Sequence, residues 1–304
     1  MPTSSQTDHQ SDQAHEASRR VEPSRGRLPD FLVLGAAKCG TTTLCDLLGR
    51  HPDVFVHPRK ELDFFCFDAR YAKGLDWYAG RFAKAGDARV AGEGSPNYAK
   101  LSKHPRAAER IARDLPDAKL IYMARHPLRR MESAWLHARR SGHRSSRSFA
   151  KTLRTQASYV DTSHYERQLD AYRRHFPDER ILVVFLDDLD RDPEATLERC
   201  FRFLGVEPGF RVGSPGERRN VSSGQRVDGV LMDVLRAIPG FRRFDRRAPR
   251  GWRRFRRRWL QTGRAKGPEW DDATRDWVAS QLAGPTARFL ERYGKPRDFW
   301  DLSK

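Results

Sequence analysis

The chain is short of cysteine, short of acid and without long apolar runs, and each shortage removes a class of protein. Four cysteines occur in 304 residues: Cys39, Cys45, Cys66 and Cys200. None forms a C-x-x-C pair, so four reduced thiols are expected rather than a disulfide framework or a zinc site. No run of about 18 apolar residues exists, so no membrane-spanning helix is expected. Residues 1–27 lack the apolar segment of a secretory signal. They are polar, and their four acids cancel four arginines. They read as a disordered tail, and a cytoplasmic location is expected. No internal repeat is visible, and residues 28–304 read as one domain.

Acid is outnumbered by base, 40 residues to 58, which leaves a net charge of +18. Such a balance favours anionic partners: a nucleotide, an acidic glycan, nucleic acid or an anionic membrane. The deficit concentrates in two places. Residues 139–154 hold Arg139, Arg140, Arg144, Arg147, Lys151 and Arg154 with no acid. This is either a basic loop facing an anionic substrate or a solvated charge run. Residues 236–258 hold eleven arginines and one acid, Asp245. There Trp252, Phe255 and Trp259 share a helical face. Such a helix packs its aromatics on the domain or lies on an anionic membrane. A basic helical C-terminal region is expected over 228–304.

What the sequence does contain is a strand, a loop and a helix in succession. The apolar run Phe31-Leu32-Val33-Leu34 stops at Gly35. Ala36-Ala37-Lys38-Cys39-Gly40 follows, and Thr41-Thr42-Thr43 lead into Leu44, Leu47 and Leu48 at helical spacing. Backbone N–H groups at such a helix start favour a phosphate. The glycines fit G-x-x-x-x-G-K-[ST], but Thr41 stands where that pattern has lysine. The loop's lysine, Lys38, lies inside it. A nucleotide with a single 5′-phosphate group fits better than a nucleoside triphosphate, which needs that lysine and a hydroxyl on Mg²⁺. Cys39 reads as a small loop residue.

Further on, Ala118–Ala124 and Ile181–Leu186 are buried strands by their apolar runs, and Val54–Val56 is a short one. Arg89–Tyr98 reads as a strand end and a turn. Helices are expected after Gly74, from Pro105, from Pro127, around Tyr165–Phe176 and from Pro193. Strands alternating with helices imply a three-layer α/β/α fold with a central, mainly parallel sheet. Ligands bind such sheets beyond the carboxyl ends of the strands. Arg125 occupies such a place, and Ser133 follows two helical turns later. A guanidinium there can grip a phosphate, with the serine assisting. Asp187-Asp188, after the last strand, reads as an acid-rich turn or an imitation of a Walker-B acid. Glu61 and Asp63, beside Phe64-Phe65, read either as a catalytic entrance or as solvated acids near a core pair. Residues 205–227 read as a long loop from which Arg218, Arg219, Asn220, Ser222 and Arg226 reach toward a nucleotide.

Three phrases together resemble the sulfotransferases that use 3′-phosphoadenosine 5′-phosphosulfate (PAPS). Gly35–Leu44 resembles their 5′-phosphosulfate loop. Arg125 to Ser133 resembles their 3′-phosphate motif. Asp187-Asp188-Leu189 through Phe203-Leu204-Gly205 resembles a further strand–loop–helix of the family. Lys60-Glu61-Leu62-Asp63-Phe64-Phe65, Gly74-Leu75-Asp76-Trp77-Tyr78 and Glu93-Gly94-Ser95-Pro96-Asn97-Tyr98 resemble the glycan branch that includes the heparan sulfate glucosamine sulfotransferases. That branch commonly has a lysine where Gly94 stands.

The resemblance implies a P-loop NTPase-like sulfotransferase fold and PAPS as co-substrate, with PAP as product and no metal. It implies that Lys38, Cys39, Gly40, Thr41, Thr42 and Thr43 bind the 5′ end. Arg125 and Ser133 bind the 3′-phosphate, and Arg226 joins the nucleotide site. Glu61 is the implied base and Lys38 the group that supports the leaving oxygen. The implied acceptor is a hydroxyl or amine of a carbohydrate or glycolipid. No nucleic-acid partner is expected, and 236–258 offers a peripheral membrane contact. Two other functions fit parts of the sequence: a P-loop kinase or NTPase, and a basic protein binding nucleic acid or a membrane surface through 236–258.

Overall fold

The computed structural model describes residues 26–59, 61–140, 148–212, 226–227, 249, 251, 263–264 and 267–303. Nearly all of the expected tail, the 213–225 part of the long loop and most of the arginine-rich 236–258 stretch lie outside the described residues. So do Lys60 and the 141–147 part of the other basic run.

The chain begins with β1 (Phe31–Gly35), α1 (Thr41–Leu48) and β2 (Val54–Val56), followed by α2 (Asp68–Tyr71) and α3 (Gly74–Gly80). Next come β3 (Val90–Gly94), α4 (Ala107–Asp114), β4 (Lys119–Ala124) and the long α5 (Pro127–Arg140). After α6 (Phe149–Thr155), α7 (Ser158–Asp161) and α8 (Tyr165–Arg173), β5 (Ile181–Phe185) completes the main sheet. Then follow α9 (Leu186–Arg191), α10 (Pro193–Leu204), the two-residue strands β6 (Arg226–Val227) and β7 (Gly263–Arg264), and α11 (Asp272–Arg292).

The five main strands are parallel in the order β2-β3-β1-β4-β5, with helices over the sheet, as the alternation implied. β1 is central and wholly buried. The chain leaves it toward β2 on one side, whereas β4 leads on to β5 on the other. The crevice of such a sheet opens where the winding reverses, which here is beyond the ends of β1 and β4.

β3 is a full strand rather than the end of one, and it joins β2 to β1. Its sequence, Val-Ala-Gly-Glu-Gly, has low strand propensity. Packing explains the choice. A Cβ on Gly92 would lie 2.5 Å from the Phe31 carbonyl oxygen. Glu93 is buried but satisfied, accepting hydrogen bonds from Tyr98 Oη (2.6 Å), Ser95 Oγ (2.6 Å) and Tyr78 Oη (3.1 Å). Asp187 and Asp188 lie in α9 rather than in a turn. Trp300 Nε1 donates to Asp187 at 3.2 Å and Lys295 Nζ to Asp188 at 2.7 Å, so both acids anchor the C-terminal segment.

A main core surrounds the sheet, and a second one lies between α5, α6 and α11, with Met131, Leu153, Val278 and Leu282 at its centre. All four cysteines are free.

Candidate active site

The loop after β1 owes its shape to two glycines that no other residue can replace without strain. Gly35 has φ +146°, and a Cβ there would come within 2.8 Å of Ala99 Cβ. Gly40 has φ +89°, and its Cβ would meet Leu186 Cδ1 at 2.7 Å. The G-x-x-x-x-G spacing is thus a steric requirement of the fold. Between them Lys38 takes a left-handed conformation, φ 74°, uncommon for a side-chain-bearing residue. Gly40 caps α1 without any side-chain hydrogen bond. Thr41 is buried and Thr42 and Thr43 half-buried in the first turn. Cys39 is fully buried with its Sγ 3.6 Å from Tyr165 Oη, and burial pushes its pKa up to about 11. It is an inert thiol of the loop.

β4 delivers Arg125 to the same place. Its guanidinium Nη1 donates to the Lys38 carbonyl at 3.3 Å. Burial, then the like charges of Arg140 and Arg125, lower the pKa of the Lys38 ammonium, while Glu61 opposes them. Lys38, Arg125, Arg140 and Glu61 therefore share one neighbourhood. Ser133 is buried in α5, the helix that starts two residues after Arg125. β6, which carries the backbone of Arg226, packs beside α5; the side chain of Arg226 lies outside the described set.

The opposite side is the segment Glu61–Phe64, hung along the end of β3 and the turn after it. The N–H groups of Glu61, Asp63 and Phe64 donate to Gly94 O (3.1 Å), Ser95 Oγ (3.0 Å) and Tyr98 Oη (3.1 Å). Glu61 and Asp63 both have positive φ, 60° and 48°. Such conformations persist where surrounding contacts over-determine them. Arg70 supplies one such contact: its Nη1 donates to Leu62 O at 2.5 Å and lies 3.3 Å from Asp63 Oδ2. Glu61 is exposed. Asp63 is only 4% exposed, its Oδ1 has no hydrogen-bond partner, and burial raises its pKa. A side chain at Gly94 would force a shift here, because a Cβ would lie 2.6 Å from Cys45 Sγ of α1.

Of the residues singled out in the sequence, Lys38, Arg125 and Glu61 are brought together; Cys39, Gly40 and Thr41–Thr43 adjoin Lys38 in the loop and first turn, and Ser133 lies two turns into α5. Several supporting residues carried no motif. On α8, Tyr165 donates to Arg125 O at 2.6 Å, Gln168 Oε1 accepts from Leu101 N at 2.9 Å and Tyr172 donates to Tyr98 O at 2.9 Å. One helix face therefore braces the loops on both sides. The signal was polar groups on an otherwise buried helical face. Arg130 is 2% exposed, bonds Ser163 Oγ at 2.6 Å and the Tyr159 carbonyl, and lends positive charge to the region of Cys39 and Lys100.

Comparison with known proteins agrees with this geometry. Residues 28–219 match the sulfotransferase domain family. The chain is 33% identical over 192 residues to heparan sulfate glucosamine 3-O-sulfotransferase 6 of Mus musculus, covering 61% of this chain and 54% of that protein. It is 28% identical over 193 residues to heparan sulfate glucosamine 3-O-sulfotransferase 5 of the same species, covering 60% of this chain and 55% of the relative. The chain thus spans about half the length of these curated relatives. A sulfotransferase crystal structure from Alicyclobacillus acidocaldarius superposes with a TM-score of 0.64 at 22% identity, covering 90% of this chain and 98% of that one, and shares its fold. With a matched domain spanning both the glycine loop and Arg125–Ser133, the chain belongs to the sulfotransferase family.

Proposed function

We propose that this protein transfers a sulfuryl group from PAPS to a hydroxyl or amine of a carbohydrate acceptor. One observation carries the reading: the Arg125 guanidinium is fixed on the Lys38 carbonyl at 3.3 Å, so the desolvated Lys38 ammonium is crowded by Arg125 and Arg140, with Glu61 as the opposing charge. An anionic donor relieves that crowding. The residues fit the two anionic ends of PAPS. The N–H groups and hydroxyls of Thr41–Thr43 at the start of α1, with Cys39 and Gly40, receive the 5′-phosphosulfate. Arg125 and Ser133 receive the 3′-phosphate, which separates PAPS from ATP, and Arg226 belongs to the same nucleotide site.

Chemistry then follows from charge. Glu61 takes the proton of the acceptor hydroxyl as its oxygen forms a bond to sulfur. The bond from sulfur to the bridging phosphate oxygen breaks, and its electron pair leaves with the bisphosphate. Lys38 offsets the charge that develops on that oxygen. Positioning and preorganised electrostatics supply most of the acceleration. The relatives' names, heparan sulfate glucosamine 3-O-sulfotransferases, support a glycan as the acceptor class. The test is transfer of ³⁵S from labelled PAPS to a panel of glycans, glycolipids and phenols. Labelled carbohydrate supports the reading, and label on phenols alone contradicts it.

A further inference from the structure

Lys100 belongs to no motif, yet it stands at the acceptor side of the site. It lies in the turn after β3. That turn is locked by α8 through Tyr172 to Tyr98 O and Gln168 to Leu101 N. Its ammonium donates to Asn97 Oδ1 at 2.7 Å, and Asn97 Nδ2 donates in turn to Asp63 Oδ2 at 3.1 Å. Asp63 is held from the other side by Arg70. A chain of four polar side chains, Arg70–Asp63–Asn97–Lys100, therefore runs from the backbone of Glu61 and Leu62 to Lys100.

The electrostatics place Lys100 beside the proposed base. The charge of Glu61 acts on both Lys100 and Lys38, so the two ammonium groups share its surroundings. Burial, then Lys103, lowers the Lys100 pKa, and Arg130 adds to the effect; Glu61 and Asp63 oppose it. Among the described residues Lys100 forms no ion pair with a carboxylate. Its bonded partner is a neutral amide. A half-buried cation without a bonded counter-ion is costly, and an anion that arrives with the substrate removes the cost.

We propose that Lys100 is a specificity residue: its ammonium pairs with an anionic group, a carboxylate or a sulfate, that the acceptor carries beside the hydroxyl attacked. Asn97 and Asp63 act through it as positioning residues. A neutral acceptor leaves Lys100 desolvated and unmatched, so the site discriminates by charge. The inference rests on the sulfuryl-transfer reading for the orientation of donor and acceptor.

The test uses the full chain saturated with PAP and three octasaccharides, with affinities read by calorimetry. One is N-sulfated glucuronate–glucosamine, one is its N-acetylated form carrying carboxylates alone, and one is neutral maltooctaose. Wild type should prefer the anionic sugars. Lys100→Met should weaken them by about 10-fold or more, leave maltooctaose unchanged, and be largely rescued by Lys100→Arg. Loss on both anionic sugars identifies a carboxylate; loss on the N-sulfated sugar alone identifies a sulfate. Lys103→Met, an equal charge change at an exposed neighbour, should change little. The proposal is overturned if Lys100→Met has no effect, if Lys103→Met matches it, or if wild type does not prefer the anionic sugars. Failure of wild type to bind PAP would instead overturn the sulfuryl-transfer reading, while the sugar affinities still report on Lys100.

Discussion

The loop Gly35–Thr43 and the segment Glu61–Phe64 share one neighbourhood but are shaped by different means. The loop is held by backbone: two glycines at positive φ sit where a Cβ would collide with Ala99 or Leu186. The segment has two non-glycine residues at positive φ, Glu61 and Asp63, held by side chains from elsewhere: Arg70, Ser95 and Tyr98. A site made of main chain suits a phosphate, whose recognition is the same whatever the sugar. A site made of side chains suits the acceptor, which differs between enzymes. The first kind is written in spacing, whereas the second is scattered through the chain.

Substitutions can break this contrast. The largest effect is expected at Glu61. Glu61→Gln should lower turnover by about 10²- to 10⁴-fold and leave the affinity for PAP intact, as read by initial rates and calorimetry. Equal losses in both would show that the segment also shapes the donor site. Arg125→Ala should weaken PAP by about 10-fold or more while changing AMP little, since a guanidinium–phosphate contact is charge-assisted. Gly40→Ala should cost about 1–3 kcal/mol in a chemical melt, because the added Cβ meets Leu186 at a positive φ. Tyr165→Phe removes the hydroxyl that donates to Arg125 O. It should cost about 1 kcal/mol of stability and raise the Kd for PAP modestly.

The smallest effect is a pH dependence at Glu93. Burial raises its carboxyl pKa in the folded protein above the ordinary 4.5. Its contribution is therefore full below that value and is lost as pH rises through the folded pKa. Stability measured by urea melts should fall over that window in wild type, and Glu93→Gln should flatten the fall.

Much of the proposed donor side was legible in the sequence. Its glycine spacing and the apolar runs of β1, β4 and β5 all reappear in the fold. β3 was not, because Gly92, Glu93 and Gly94 look like a turn. Only the approach of Phe31 and the hydroxyls of Tyr78, Ser95 and Tyr98 make them a strand. The link from Lys100 to Asp63 was not legible for a related reason. Their partners, Asn97, Arg70 and α8, come from different stretches of the chain, and no local pattern joins them. Around Tyr165–Phe176 the sequence showed a helix but not its second role: the rings of Tyr165 and Tyr172 are buried and their hydroxyls brace the loops.

The central claim is that Lys38 and Glu61, from the two sides, act on one transition state. A double-mutant cycle on kcat for ³⁵S transfer, with Lys38→Met, Glu61→Gln and the pair, tests it directly. Residues acting as a unit give strongly non-additive losses, so the double variant should be scarcely slower than the worse single one. Losses that simply multiply would contradict the account.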